Sequence, residues 1–180
     1  MRGNIPELRT VNINAGAKEK PLLRAERIQK EDFMNIELNK AIVRRFFDLI
    51  TEGKTSGVDE IVSPDWVNND PSLPPMRGID GAKQLITLFS KGFPGVRIKI
   101  ISLIAEGDTV AGYFTFDGEH KGKFLDFPPT GKKVSAYGCG LFRIDNGKLV
   151  ENRVVFDALG LMQQIGVVPT PGVEHETLTR

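Results

Sequence analysis

The sequence predicts an α+β domain: a curved antiparallel sheet with helices packed on one face. Three observations carry this. Apolar residues recur at helical spacing between Ile36 and Ser90. After Gly95 the period changes to two. Four glycines, Gly112, Gly118, Gly138 and Gly140, fall inside the alternating runs, where interior glycine marks bends or bulges. Helices first and strands afterwards is an α+β order.

The helical half divides into three. Leu38, Ile42, Phe46, Leu49 and Ile50 share one face of a helix over Ile36 to Ile50, with Asn39, Lys40, Arg44 and Asp48 mostly opposite. Gly53 and Gly57 end it. Thr55 or Ser56 can cap a short second helix through Val58, Ile61 and Val62. Ser63-Pro64-Asp65 restarts the chain, and Pro71, Pro74 and Pro75 enforce a loop after Asp70. Gly78 to Ser90 is the third helix, with Ile79, Ala82, Leu85, Ile86 and Phe89 on one face.

Four strands follow, at about 96–105, 109–118, 133–145 and 148–156. Glu106-Gly-Asp108 and Asp145-Asn-Gly147 are hairpin connections; Asn146-Gly147 readily takes positive φ. The reading is a four-stranded antiparallel meander. Asp157 stands where an N-cap belongs, before a helix over Ala158 to Ile165.

Composition sets the class. A chain of 180 residues suits one domain. Its 40% hydrophobic and 26% charged content is ordinary for a globular protein. A net charge of +1 points to no nucleic-acid partner, and no apolar run approaches a membrane span. The single cysteine, Cys139, excludes an internal disulfide. With no apolar secretory core near the start, the expected location is cytoplasmic. The expected division is an arm-like extension over residues 1–34, a folded domain over 35–168 and a loose tail over 169–180. No cysteine or histidine cluster has metal-ligand spacing, and no glycine-rich loop opens a helix. The expectation is therefore no metal and no cofactor.

Few residues can carry chemistry. His120 is the only histidine within the expected domain. It reads as a general base, since its ordinary pKa lies near working pH, or as a loop anchor. Asp157 reads as a proton donor at a pocket rim or as the N-cap. Asn68, Asn69 and Asp70 read as polar ligand contacts or as a turn before Pro71. Trp66 and Phe89 read as core or as ligand wall.

Six segments in order resemble the SnoaL-like polyketide cyclases of the nuclear transport factor 2-like superfamily. They are Asn39-Lys-Ala-Ile-Val-Arg-Arg-Phe-Phe47, Ser63-Pro-Asp-Trp66, Phe93-Pro94, His120-x-Gly-x-Phe with Pro128-Pro-Thr-Gly131, Phe142-Arg-Ile-Asp-Asn-Gly-Lys148 and Gly160-Leu-Met-Gln-Gln-Ile-Gly166. The resemblance implies a cone-shaped α+β barrel closed by three N-terminal helices, with a pocket inside and a homodimeric assembly. It also implies an Asp acid/base on the last strand and a His on the strand before. Aligned on these segments, those positions fall on Val154 and Gly140, neither of which moves a proton. If Val154 faces the pocket, alternation places Asn152 and Phe156 there too. Tyr137, Cys139, Leu141 and Val155 then face outward.

Three readings of function remain open. The first is a cofactor-free enzyme performing acid/base cyclisation, isomerisation or hydration on a hydrophobic, polyketide-like or ester-bearing small molecule, with His120 and Asp157 as its catalytic groups. Trp66, Asn69, Asp70, Phe89, Asn152, Val154 and Phe156 then contact the substrate. The second is a small-molecule binding protein without turnover, which the loss of both acid/base positions favours. The third is an adaptor homodimer that uses the outer sheet face.

Overall fold

The structure is a computed structural model, and residues 21–171 are described. Helix α1 (Pro21–Glu52) leads into a single turn, α2 (Val58–Ile61). Strand β1 (Val62–Asn69), the two-residue β2 (Met76–Arg77) and helix α3 (Gly78–Gly92) follow. The rest is β3 (Arg97–Glu106), β4 (Thr109–Glu119), β5 (Lys133–Asp145), β6 (Lys148–Phe156) and helix α4 (Ala158–Ile165).

The strands form one six-stranded sheet in the order β2-β1-β6-β5-β4-β3. The expected antiparallel meander is present as β3 to β6. Two features correct the expectation. First, β1 pairs parallel to β6, with Asn68 opposite Asn152, so the sheet is mixed. Pro64 breaks the pattern of β1, whose register shifts between Val62 and Val67, so no regular alternation announces the strand. Second, the sheet is open, with β2 and β3 at its edges, and is not a closed barrel. Helix α1 also begins at Pro21, inside the stretch read as an extension. The remainder of that extension and most of the tail lie outside the described residues.

The interior glycines do different work from the one expected. The β4–β5 register runs without a shift past Gly112, Gly118, Gly138 and Gly140. The shifts in the meander lie elsewhere, between Ile100 and Ser102 and between Arg143 and Ile144. A Cβ on Gly138 would overlap the ring of Phe114, and one on Gly140 would lie 2.9 Å from Cγ2 of Val154. These glycines make room for large inward-facing neighbours.

Alternation sorts the sheet into two faces. On β5 the inward set includes Ala136, Phe142 and Ile144, while Tyr137, Cys139 and Leu141 are exposed. The inner face packs on α1 and α3 through Val43, Phe46, Leu49, Trp66 and Ile86. A second cluster, built on Phe93, Phe116, Phe124, Leu161 and Ile165, seats α4. There the side chain of Asp157 accepts a hydrogen bond from the Gly160 N–H at 2.9 Å, and Gly166 ends the helix at φ 83°.

Candidate active site

Between α1, α3 and the inner sheet face lies a cavity of about 50 Å³. Phe46, Phe47 and Ile50 of α1 and Leu85 and Phe89 of α3 form one wall. Phe114 and Phe116 of β4, Phe142 of β5 and Val154 and Phe156 of β6 form the other. The volume is enough for a few waters. A larger ligand must displace aromatic side chains, which turn in place at less cost than backbone moves.

The wall carries three polar residues, Asn68, Asp70 and Asn152. Asn152 is 2% exposed and Asn68 7%. The Asn152 Nδ2 donates to Oδ1 of Asn68 at 2.5 Å, directly across the parallel β1–β6 pair. The Nδ2 of Asn68 and the Oδ1 of Asn152 have no partner. Flipping both amides exchanges their roles and leaves the same result: one amide donor and one amide acceptor unsatisfied beside an apolar cavity. An orphaned buried polar group costs about 1–3 kcal/mol, so the pair is poised for a polar group from outside. Asp70, half-buried, is the only ionisable residue of the lining among the described residues. Its Oδ1 accepts from the Ser72 backbone N–H at 2.8 Å and from the Ser72 hydroxyl at 2.5 Å.

The structure thus brings Asp70, Phe89, Asn152, Val154 and Phe156 to one cavity. It leaves four candidate residues outside. Trp66 is fully buried against Phe46 with its indole Nε1 unpaired, and it is core. Asn69 turns to the other face and donates to Glu151 at 2.7 Å. Arg153 holds the Glu151 carboxyl below the usual range by hydrogen bonding, with Arg143 adding to the effect. Asp157 is the α4 cap. His120 is fully buried beside the ring of Phe93, its Nδ1 3.1 Å from the Thr130 hydroxyl and its Nε2 unpartnered. Burial pushes its pKa down. Backbone bonds from His120 N–H to Lys132 and from Gly131 N–H to His120 tie the 120–131 loop to the start of β5. His120 and Asp157 therefore share no cavity, and in this geometry each serves the local structure. Among the described residues, no group of three or more His, Cys, Asp and Glu side chains is placed to hold a metal ion. No described helix is long and apolar enough to cross a membrane.

Comparison with known proteins fixes the family. The model of the SnoaL-like polyketide cyclases matches residues 40–165. The chain belongs to the SnoaL-like polyketide cyclase family. It is 28% identical over 134 residues to the aklanonic acid methyl ester cyclase of Streptomyces peucetius, covering 72% of this chain and 92% of that one. The nogalonic acid methyl ester cyclase of Streptomyces nogalater is 30% identical over 118 residues, 63% of this chain and 87% of that one. Among solved structures, TsrD from Streptomyces laurentii superposes with a TM-score of 0.67 at 24% identity, over 73% of this chain and 97% of that one. At that identity the likeness is one of fold.

Within this SnoaL-like fold, Gly140 and Val154 are direct cross-strand partners on β5 and β6. Neither carries a titratable group. The polar groups of the cavity sit instead at the C-terminal end of β1 (Asn68), just beyond it (Asp70) and in the middle of β6 (Asn152).

Proposed function

We propose that this protein is a cofactor-free enzyme that rearranges a hydrophobic, polyketide-like ester by acid/base chemistry within the cavity. One observation carries the reading: a buried amide pair with a spare donor and a spare acceptor, set in a wall of phenylalanines. Apolar walls with a few fixed polar groups suit an aromatic ligand bearing carbonyl or hydroxyl groups. The Phe46, Phe47 and Phe89 rings would take its flat face, and Asn68 and Asn152 would take one oxygen substituent. An N–H donor aimed at a carbonyl oxygen becomes more valuable as that oxygen gains charge, so the same contact can favour enolisation. The names of the matched methyl ester cyclases agree with a substrate of this class.

The alternative is a binding protein without turnover. Val154 and Gly140, which carry no titratable group, favour it. The experiment presents an aromatic polyketide methyl ester to the purified protein. Binding is read by quenching of the ligand's fluorescence, and turnover by chromatography and NMR, since a cyclisation conserves mass. Binding with conversion supports the enzyme. Binding without conversion supports the alternative, and absence of binding sinks both.

A further inference from the structure

We propose that Asp70 is the proton-transfer residue of this cavity, with the Asn68 amide beside it as the donor that holds the charge it creates. The proposal rests on the functional reading above. Asp70 lines the cavity, and no other ionisable side chain among the described residues does. It lies two residues beyond Asn68 along the chain, just past the end of β1, and both residues line the cavity, where the Asn68 amide Nδ2 has no partner. Both hydrogen bonds from Ser72 go to Oδ1. They fix the orientation of the carboxyl, and Oδ2 accepts no hydrogen bond among the described residues. A carboxylate with one oxygen anchored and the other free at a cavity wall is suited to take a proton.

The chemistry balances without any co-reactant. A C–H bond between two carbonyls of the substrate breaks, its proton passes to Asp70 Oδ2, and the electron pair moves onto a carbonyl oxygen as an enolate. The Asn68 N–H donates to that oxygen. The enolate carbon attacks a second carbonyl carbon of the same molecule; a C–C bond forms and the C=O π bond opens to an alkoxide. Asp70 returns its proton to the alkoxide and ends as it began. The product is an isomer of the substrate.

The test isolates the first step. The probe is a naphthyl β-keto methyl ester in D₂O at low buffer concentration. Deuterium uptake at its carbon between the carbonyls is followed by NMR. Binding is followed separately with the 2,2-dimethyl analogue, which has no exchangeable proton there. The expected result is that the protein binds the analogue and accelerates exchange of the probe. Asp70→Asn keeps analogue affinity within about threefold and loses the acceleration by a factor on the order of 10² or more. Asp70→Glu, which keeps the carboxylate on a longer arm, retains part of it, and circular dichroism checks that both variants fold. Analogue binding with no acceleration by the wild type, or with acceleration unchanged in Asp70→Asn, overturns the role of Asp70 and leaves the cavity as a ligand site. Failure of the wild type to bind either compound overturns the functional reading and this proposal together.

Discussion

The Asn152 amide donates to Asn68 across the only parallel strand pair of the sheet, and each residue keeps one polar atom unpaired. The pair therefore costs stability as it stands. Asn152→Leu alone strands the whole Asn68 amide and is expected to destabilise the fold by about 1–3 kcal/mol. Asn68→Leu with Asn152→Leu removes the orphans, and the double variant should recover most of that loss. Ligand binding behaves differently: both variants should lose it. Urea unfolding and fluorescence titration on the same samples separate the two effects. A double variant less stable than either single one would show that the pair is structural.

Gly138 and Gly140 pack against Phe114 and Val154, which also line the cavity. Gly138→Ala pushes the Phe114 ring toward that space. Overpacking of this kind costs about 1–3 kcal/mol. The expected outcome is a lower Tm together with weaker binding of large aromatic ligands and little change for small ones. Equal weakening for every ligand size would refute the coupling. Building the missing acid/base groups as Gly140→His with Val154→Asp meets the same obstacle. The backbone oxygen of Arg153 lies 3.0 Å from where a Cβ at Gly140 would sit.

The meander could be read from period two alone because each of its strands pairs with a sequence neighbour. Every strand boundary from β3 to β6 fell within two residues of its expected place. β1 escaped because its partner lies some 80 residues on, and because Pro64, Asp65 and two asparagines have low strand preference. With β1 hidden, the match of Asn68 to Asn152 was hidden too. Asn152 was placed by alternation, but its partner across the parallel pair was not. Inward-facing Phe114, Phe116 and Phe142 were visible as alternating residues. That they leave a cavity depends on the height at which α1 and α3 cross the sheet, which no local pattern encodes. His120 was singled out by elimination. Elimination identifies residue types and says nothing of where a loop folds.

His120 sets a pH dependence of stability. Its folded pKa is depressed by burial from an ordinary 6.5. Above 6.5 both folded and unfolded rings are neutral, and the group has no effect. As pH falls below 6.5 the unfolded chain takes up a proton that the native ring refuses, so stability is lost. The loss has a limiting slope of about 1.4 kcal/mol per pH unit and ends once the folded pKa is passed. Urea unfolding at pH 7 and pH 5 should show a larger acid loss for the wild type than for His120→Asn. Equal losses would mean that the ring is reached by water. Turnover per folded molecule should stay within a few-fold in His120→Asn, because the ring does not line the cavity.

Helix α1 contributes to the core from its C-terminal half. Among its residues with described burial, the first buried one is Val43, while Phe33, Met34 and Leu38 are exposed. Asn39 donates to the Gly107 carbonyl at 3.1 Å, the contact that pins the helix to the β3–β4 hairpin. Deleting residues 1–34 should leave the Tm nearly unchanged, since a stretch with few large apolar residues offsets little of its ordering cost of ~1–2 kcal/mol per residue. A fall of many degrees by differential scanning calorimetry would make the arm structural.

The outer sheet face is the place to look for a second copy of the chain. Ile104 is 70% exposed and Val155 67%, with Tyr113, Tyr137 and Leu141 beside them on neighbouring strands. The Tyr113 and Tyr137 rings stack with centroids 5.9 Å apart and planes 9° from parallel. A contiguous apolar surface of this kind on a monomer is unusual, and flat paired aromatics bury well against their own image. The expected assembly is a two-fold dimer through this face, for which a standard interface of about 800 Å² per partner is ample. Sedimentation at micromolar concentration should show a dimer, and Tyr137→Glu should shift it to monomer. That substitution lies on the face opposite the cavity, so ligand binding should survive it. A wild type that sediments as a monomer across that range, or a Tyr137→Glu variant that stays dimeric, removes the outer face from consideration.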